Sequence, residues 1–101
     1  MATYVVFDVE IRDAGRWQEF AVELKPVLTA AGARYLARGG AFKVHEGDWT
    51  PRRLSILEFP SQKAFEDFYY GADYQRLIGV RNEFSSARFV SVEGLPSIRA
   101  A

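Results

Sequence analysis

Apolar side chains alternate with mixed ones over residues 3–11. The odd positions are apolar throughout, whereas the even positions mix apolar, aromatic and acidic side chains: Val5, Phe7, Val9 and Ile11 against Tyr4, Val6, Asp8 and Glu10. Because successive side chains of a strand point to opposite faces of a sheet, this pattern predicts a β-strand. We expect helices to pack on its uniformly apolar face.

An amphipathic helix is predicted after this strand. Apolar side chains recur at helical spacing at Trp17, Phe20, Ala21, Leu24, Leu28 and Ala31. Asp13 is a suitable N-cap, and Gly32 suits the left-handed residue that commonly follows a helix. Pro26 has no backbone N–H to donate, so we expect a kink or a restart of the helix there.

Two strands joined by a hairpin are predicted next. The first covers residues 33–38, has a bulge at Gly39-Gly40 and continues over residues 41–46. Turn-forming residues at 46–51 then lead into a strand over residues 52–59.

The remaining chain predicts two helices and a strand. Ser61 is placed to cap a helix over residues 62–70, Asp73 to cap a further helix, and residues 88–93 predict the final strand. The resulting βαββαβ order is that of the ferredoxin-like fold, an α+β architecture whose four-stranded antiparallel sheet carries its helices on one face. We expect one domain over residues 1–94 and a tail over residues 95–101.

Composition excludes several classes of protein. The chain has 101 residues, with thirteen basic and thirteen acidic side chains and no cysteine. The length suits one domain, and the lack of thiols excludes disulfide scaffolds and cysteine-bearing zinc folds. Zero net charge argues against a nucleic-acid partner. No apolar run approaches the roughly 20 residues that cross a bilayer, and the N-terminus has no signal-peptide pattern, so we expect a soluble cytoplasmic protein.

Helices on one side of a sheet leave its other face uncovered. That face is expected to carry a largely apolar set of side chains: Tyr4, Val6, Leu36, Leu54 and Ile56. An exposed apolar patch of this extent is typical of an interaction surface, which predicts a homodimer with its two sheets stacked face to face. The alternative is a monomer whose tail folds across the sheet.

Three charged residues share the predicted open face. By strand alternation Asp8, Arg38 and Glu58 lie among its apolar side chains, where charges need partners. We expect Arg38 to bridge the two carboxylates, because its planar fork matches their geometry. The group is either the polar floor of a cavity, with Arg38 orienting a substrate and Glu58 or Asp8 moving protons, or an ion network that fixes dimer register.

The remaining candidate chemistry is sparse. His45 is the single histidine and a candidate base or ligand-binding group, with an exposed hairpin histidine as the alternative; its face depends on the expected bulge. Carboxylates around one histidine form no metal motif, so neither a metal nor a cofactor is predicted. Trp49, in the hairpin turn, is expected to cover the partner subunit or this subunit's own helix, with stacking on a ligand as the alternative.

A second candidate group lies in the last helical region. Tyr69, Tyr74 and Arg81 offer hydroxyl and guanidinium groups that would suit a small carboxylate or phenolic ligand. At helical spacing, however, such tyrosines are more often core residues.

Several segments resemble the domain-of-unknown-function 1330 family. They are GARYLARGG (residues 32–40), EGDW (46–49), EFPS (58–61), Phe68-Tyr69, Tyr74, Arg81 and Val92-Glu93-Gly94. The resemblance covers about residues 3–94 and implies the dimeric α/β-barrel arrangement of two ferredoxin-like subunits. Relatives with that fold include cofactor-independent monooxygenases, haem-degrading enzymes, isomerases and sensor modules. The family has no established reaction, so the resemblance implies architecture and not activity.

Two functions are therefore expected. The first is a small-molecule-binding homodimer that acts as a cofactor-independent enzyme, of monooxygenase or isomerase type, on a small carboxylated or aromatic metabolite. The second is a non-catalytic ligand-binding or sensor module.

Overall fold

The computed structural model describes residues 1–96, in which four strands and three helices form one α+β unit. In chain order the elements are β1 (Thr3–Ile11), α1 (Ala14–Ala30), β2 (Arg34–Arg38), β3 (Leu54–Phe59), α2 (Gln62–Tyr69), α3 (Ala72–Arg81) and β4 (Ser85–Glu93). The sheet order is β2-β3-β1-β4, and every neighbouring pair is antiparallel. The predicted ferredoxin-like fold is confirmed. Of the predicted tail, residues 97–101 lie outside the described part of the chain.

The helix ends are set mostly by the expected caps. The Asp13 carboxylate accepts a hydrogen bond from the Arg16 N–H (3.1 Å), and the Ser61 hydroxyl accepts one from the Ala64 N–H (3.0 Å). Helix α1 continues through Pro26 without a restart. The cap predicted for α3 was wrong, because Asp73 lies in its first turn and Gly71 is the N-cap. None of the helices within residues 1–96 has the length and apolarity needed to cross a bilayer.

The core lies between one face of the sheet and the helices. Strand side chains at alternating positions are buried there, among them Val5, Leu57 and Phe59. The Phe59 ring contacts Phe65 and Phe68 of α2, with centroids 5.2 and 5.1 Å away. These contacts fix which face of every strand points to the helices.

The opposite face, here called the open face, has no helix over it within residues 1–96. The register places a largely apolar set of side chains on it: Tyr4, Val6, Asp8, Leu54, Ile56, Glu58, Val90 and Val92. Val90 and Val92 are 61% and 56% exposed. The expected bare face is confirmed, and β4 extends it beyond the predicted set.

A bulge in β2 changes which way its side chains point. Tyr35 pairs with Leu57, Ala37 with Ile56 and Arg38 with Ser55, so the register shifts between Tyr35 and Ala37. The bulge expected at Gly39-Gly40 therefore lies earlier, and Arg38 faces the helices.

Residues 40–53 form an irregular loop between β2 and β3. The predicted continuation of the strand over residues 41–46 was wrong. The last bond of the ladder runs from the Gly39 N–H to the Leu54 carbonyl (2.7 Å), and Gly39 has a φ of 62°. This left-handed residue turns the chain out of the sheet, so the residues that follow have no strand beside them.

Candidate functional site

A cleft of about 470 Å³ lies between α1 and the edge strand β2. Its floor is apolar, formed largely by Trp17, Leu24, Leu28 and Leu57, and its mouth carries Tyr35, Arg38 and Arg53. We call it the α1/β2 cleft. An apolar pocket with a few convergent polar groups is the usual form of a small-molecule site.

The β2 bulge delivers Arg38 to this cleft. The guanidinium lies over the Tyr35 ring, with its central carbon 4.7 Å from the ring centroid. The expectation that Arg38 bridges Asp8 and Glu58 on the open face was wrong. The physical reason is the extra residue in the bulge, which inverts the alternation of side chains after Tyr35.

The mouth of the cleft is positively charged. Burial raises the pKa of the Tyr35 phenol, while the charges of Arg38 and Arg53 act in the opposite direction. No carboxylate within residues 1–96 lies within 4.0 Å of the Arg38 or Arg53 guanidinium. The Arg53 guanidinium also occupies the space where a side chain at Gly39 would stand. The two guanidinium groups therefore have donors available for an anionic ligand.

Asp8 is buried and holds the loop rather than the cleft. Its carboxylate accepts hydrogen bonds from the backbone N–H of Arg52 (2.8 Å), that of Arg53 (3.2 Å) and Trp49 Nε1 (3.3 Å). Trp49 thus lies against its own sheet, and the alternative that it covers its own helix was wrong. Asp8 fixes the chain where it returns from the loop into β3.

Glu58 is paired on the open face. It accepts a hydrogen bond from Arg34 Nε (2.6 Å), and this bond is the largest cause that lowers its pKa, followed by the bond from the Tyr4 hydroxyl. That second bond also raises the pKa of Tyr4. Glu58 is opposite Tyr4, so it lies about 13 Å along the sheet from Asp8. The structure does not bring the two predicted catalytic carboxylates together.

The other predicted site residues do not line the cleft. His45 is exposed in the irregular loop, so the question of which strand face it occupies does not arise. Tyr69 is half-buried and packs on Phe65, with centroids 5.8 Å apart. Tyr74 and Arg81 are buried, and Arg81 Nη1 donates to the Tyr74 hydroxyl (3.0 Å).

Sequence reasoning missed most of this cleft. The helical spacing of Trp17 predicts a core residue rather than a cleft residue. Arg53 follows Arg52 in a segment whose composition is typical of a solvated turn. Tyr35 and Arg38 share the cleft because of the bulge, which leaves no signal in the run Arg-Tyr-Leu-Ala-Arg.

No group of three or more His, Asp or Glu side chains in the described residues is arranged to hold a metal ion.

Comparison with known proteins places the chain in a family. The profile of the family described as "Domain of unknown function (DUF1330)" matches residues 2–95. No curated protein sequence matches the chain.

Solved structures share the fold at low sequence identity. A protein of unknown function from Rhodopseudomonas palustris is 16% identical with a TM-score of 0.71, over 94% of this chain and 83% of that one. A dimeric ferredoxin-like protein of unknown function from Jannaschia sp. CCS1 is 16% identical with a TM-score of 0.66, over 93% and 100%. SnoaB, a cofactor-independent oxygenase from Streptomyces nogalater, is 11% identical with a TM-score of 0.57, over 96% of each chain.

Proposed function

The chain belongs to the DUF1330 family, and from that premise we propose that it is a homodimer that binds a small aromatic carboxylate in the α1/β2 cleft. The observation that carries the proposal is the pair Arg38 and Arg53, which stand over an apolar floor and have no carboxylate partner within residues 1–96.

The chemistry of the cleft defines the ligand class. A guanidinium fork donates two parallel hydrogen bonds to a carboxylate, which fixes both its position and its orientation. The indole of Trp17 and the ring of Tyr35 offer faces for a planar apolar body. A volume of about 470 Å³ lies within the range of small-molecule pockets.

The open face supports the homodimer. Val90, Val92 and Ile56 are exposed on this face, with Val90 and Ile56 on either side of Val6, and no helix in the described residues covers the sheet on this side. Stacking two copies through this face would bury its apolar side chains in one self-complementary contact. The Jannaschia protein with this fold is described as dimeric.

Ligand binding is better supported than catalysis. Among the described residues the lining of the cleft includes no histidine, aspartate or glutamate to act as a general base. Neither Glu58 nor Asp8 lines the cleft, so the cleft gives no support to the proton-transfer roles predicted for them. Those roles stay predictions.

A cofactor-independent oxygenase is the second candidate function. Arg38 and Arg53 beside the Tyr35 phenol would stabilise a phenolate or enolate substrate, and SnoaB, which shares the fold, is such an oxygenase. Oxygen uptake with a panel of polyhydroxylated aromatic compounds tests this candidate. Oxygen uptake that is lost in Arg38→Met would favour the oxygenase over a protein that only binds its ligand.

Calorimetric titration with a panel of aromatic carboxylates and their neutral amides tests the proposed binding. Benzoate is expected to bind about tenfold more tightly than benzamide, because only the carboxylate forms charge-assisted hydrogen bonds. Arg38→Met should remove this preference. Arg76→Met is the matched control, since the exposed Arg76 forms an ion pair with Glu23 (3.7 Å) and does not line the cleft. Equal affinity for acids and amides, or no binding by any of the acids, would contradict the proposal.

A further inference from the structure

Arg81 is a buried cation that has no counter-charge among residues 1–96. Its residue is 7% exposed, and no carboxylate in the described part of the chain lies within 4.0 Å of its guanidinium. Arginine does not lose its proton in proteins, so the charge stays buried. Burial of a charge without a partner is unfavourable, which makes this position one that needs an explanation.

The edge of this guanidinium formed by Nε and Nη2 has little hydrogen bonding within residues 1–96, and it is an edge that can bind a carboxylate. Nη1 donates to the Tyr74 hydroxyl (3.0 Å), whereas Nη2 makes only a long contact of 3.4 Å with Asn82 Oδ1. Nε is buried and has no hydrogen-bond partner within residues 1–96. Nε and Nη2 form one side of the planar fork, and a carboxylate binds that side through two parallel hydrogen bonds.

Tyr74 adds a second donor beside this edge. Its hydroxyl accepts the bond from Arg81, which leaves its own hydrogen for another acceptor. Burial raises the pKa of Tyr74, and this outweighs the opposing effect of the Arg81 charge. The phenol therefore keeps its proton and can donate it to an anion.

A small internal cavity is lined by Tyr74 and shares part of its wall with the α1/β2 cleft. The cavity has a volume of about 20 Å³, and its lining includes Tyr74 and Phe7. Arg81 contacts both: its guanidinium carbon is 5.6 Å from the Phe7 ring centroid. Four side chains line the cavity and the cleft together: Leu24, Leu28, Tyr35 and Leu57. Tyr35 is 37% exposed on an edge strand, and a ligand that spans both spaces requires its ring to move aside.

We propose that Arg81 and Tyr74 form an inner anion-binding subsite at the deep end of the α1/β2 cleft. The ligand is then an aromatic acid with a second acidic or phenolic oxygen at the opposite end of its ring. One end is held by Arg38 and Arg53 and the other by Arg81 and Tyr74. This inference rests on the proposed function, because it assigns the far end of the same ligand.

Nuclear magnetic resonance of the arginine Nε–H groups reports each end of the ligand separately. The Arg81 signal is assigned from its absence in Arg81→Lys, and the Arg38 signal from Arg38→Met. Benzoate is expected to move the Arg38 signal alone. One member of a series of para-substituted aromatic diacids and hydroxy acids of increasing length is expected to move both signals, with a downfield shift of the Arg81 proton as it gains an acceptor.

The outcomes separate the two proposals. If the Arg38 signal moves with the acids and the Arg81 signal never does, the inner subsite is overturned and the outer cleft stands. If neither signal moves with any acid, both proposals are overturned. If Arg81 serves only to hold Tyr74 in place, its signal should not move with any acid while the Arg38 signal does.

A variant that keeps the guanidinium gives a second readout. Tyr74→Phe removes only the inner hydroxyl, and we expect it to lower the affinity for the best diacid about tenfold relative to benzoate. Tyr70→Phe is the matched control, because Tyr70 is 73% exposed. An unchanged ratio of the two affinities in Tyr74→Phe would overturn the assignment of Tyr74 to the subsite.

Discussion

Charged side chains near the sheet differ in what neutralises them. Asp8 is satisfied by N–H groups of its own chain, and Glu58 by the guanidinium of Arg34. Arg38 has neither kind of partner within residues 1–96 and rests on an aromatic ring. Of the three residues predicted as one cluster, only Arg38 has its hydrogen-bonding capacity largely available to a ligand.

Asp8 is predicted to stabilise the protein through the loop that it holds. Asp8→Ala leaves two backbone N–H groups and the Trp49 indole without their acceptor, which should lower the free energy of unfolding by about 2 kcal/mol. Asp8→Asn retains one acceptor oxygen and should lose less. Urea denaturation followed by circular dichroism measures both.

Trp49→Phe is the control, because it keeps both backbone bonds to Asp8 and removes the 3.3 Å bond together with part of the half-exposed indole ring. A loss in Trp49→Phe as large as that in Asp8→Ala would show that the backbone bonds contribute little.

Glu58 is predicted to make stability depend on pH in the acid range. Its pKa in the folded protein lies below the ordinary value of 4.5, mainly because of the hydrogen bond from Arg34. The ionised form is therefore favoured by folding, and its contribution is present above pH 4.5 and lost as the pH falls through the folded pKa. The thermal midpoint of the wild type should fall between neutral and acid pH, and in Glu58→Gln this fall should be smaller.

Glu46→Gln is the control for this titration, since Glu46 lies in the exposed loop and forms no ion pair within residues 1–96. Parallel pH profiles for the wild type and Glu58→Gln would contradict the prediction.

At the scale of elements, β1 and the two capped helices follow their sequence patterns closely. Strand β1 has the predicted bounds, because its alternation is regular and one of its faces is apolar throughout. The bulge in β2 could not be located, because Tyr35, Leu36 and Ala37 offer no contrast that fixes the face. Pairing with β3 decides it, and that pairing is tertiary. The position of Arg38 depends on this one residue of register, so the sequence predicts it on the wrong face of the sheet.

Gly39 is predicted to couple the end of β2 to the mouth of the cleft. Its φ of 62° is unfavourable for other residues, and a Cβ there would collide with the Arg53 guanidinium. Gly39→Ala should cost about 1–2 kcal/mol of unfolding free energy and weaken benzoate binding. Gly40→Ala is the matched control, because nothing lies within 4 Å of a Cβ at that position. Equal effects of the two substitutions on denaturation and titration would count against the coupling.

At the scale of the whole molecule, the two faces of the sheet differ in what covers them within residues 1–96. The helix face holds the core and the cleft, whereas the open face presents apolar side chains to the surroundings. The charged pair Arg34–Glu58 lies at one end of that face, where it would set the relative alignment of two stacked sheets. Binding and assembly are therefore expected to respond to different substitutions.

Val90→Glu is predicted to convert the dimer to a monomer, because it places a charge on the apolar face through which the two sheets would stack. Light scattering at micromolar concentration should then give the subunit mass of 11.4 kDa in place of twice that value. Val22→Glu is the matched control, since Val22 is 73% exposed on α1. A wild-type protein with the subunit mass would contradict the dimer itself.

The bulge in β2 has an evolutionary consequence. Deleting one codon within it would restore regular alternation and move Arg38 from the cleft to the open face, while every remaining residue keeps its identity. A lineage with this fold could thus exchange a ligand-binding guanidinium for an interfacial one through a change in length alone. Alignments that treat a gap at this strand as neutral would miss such a change of specificity.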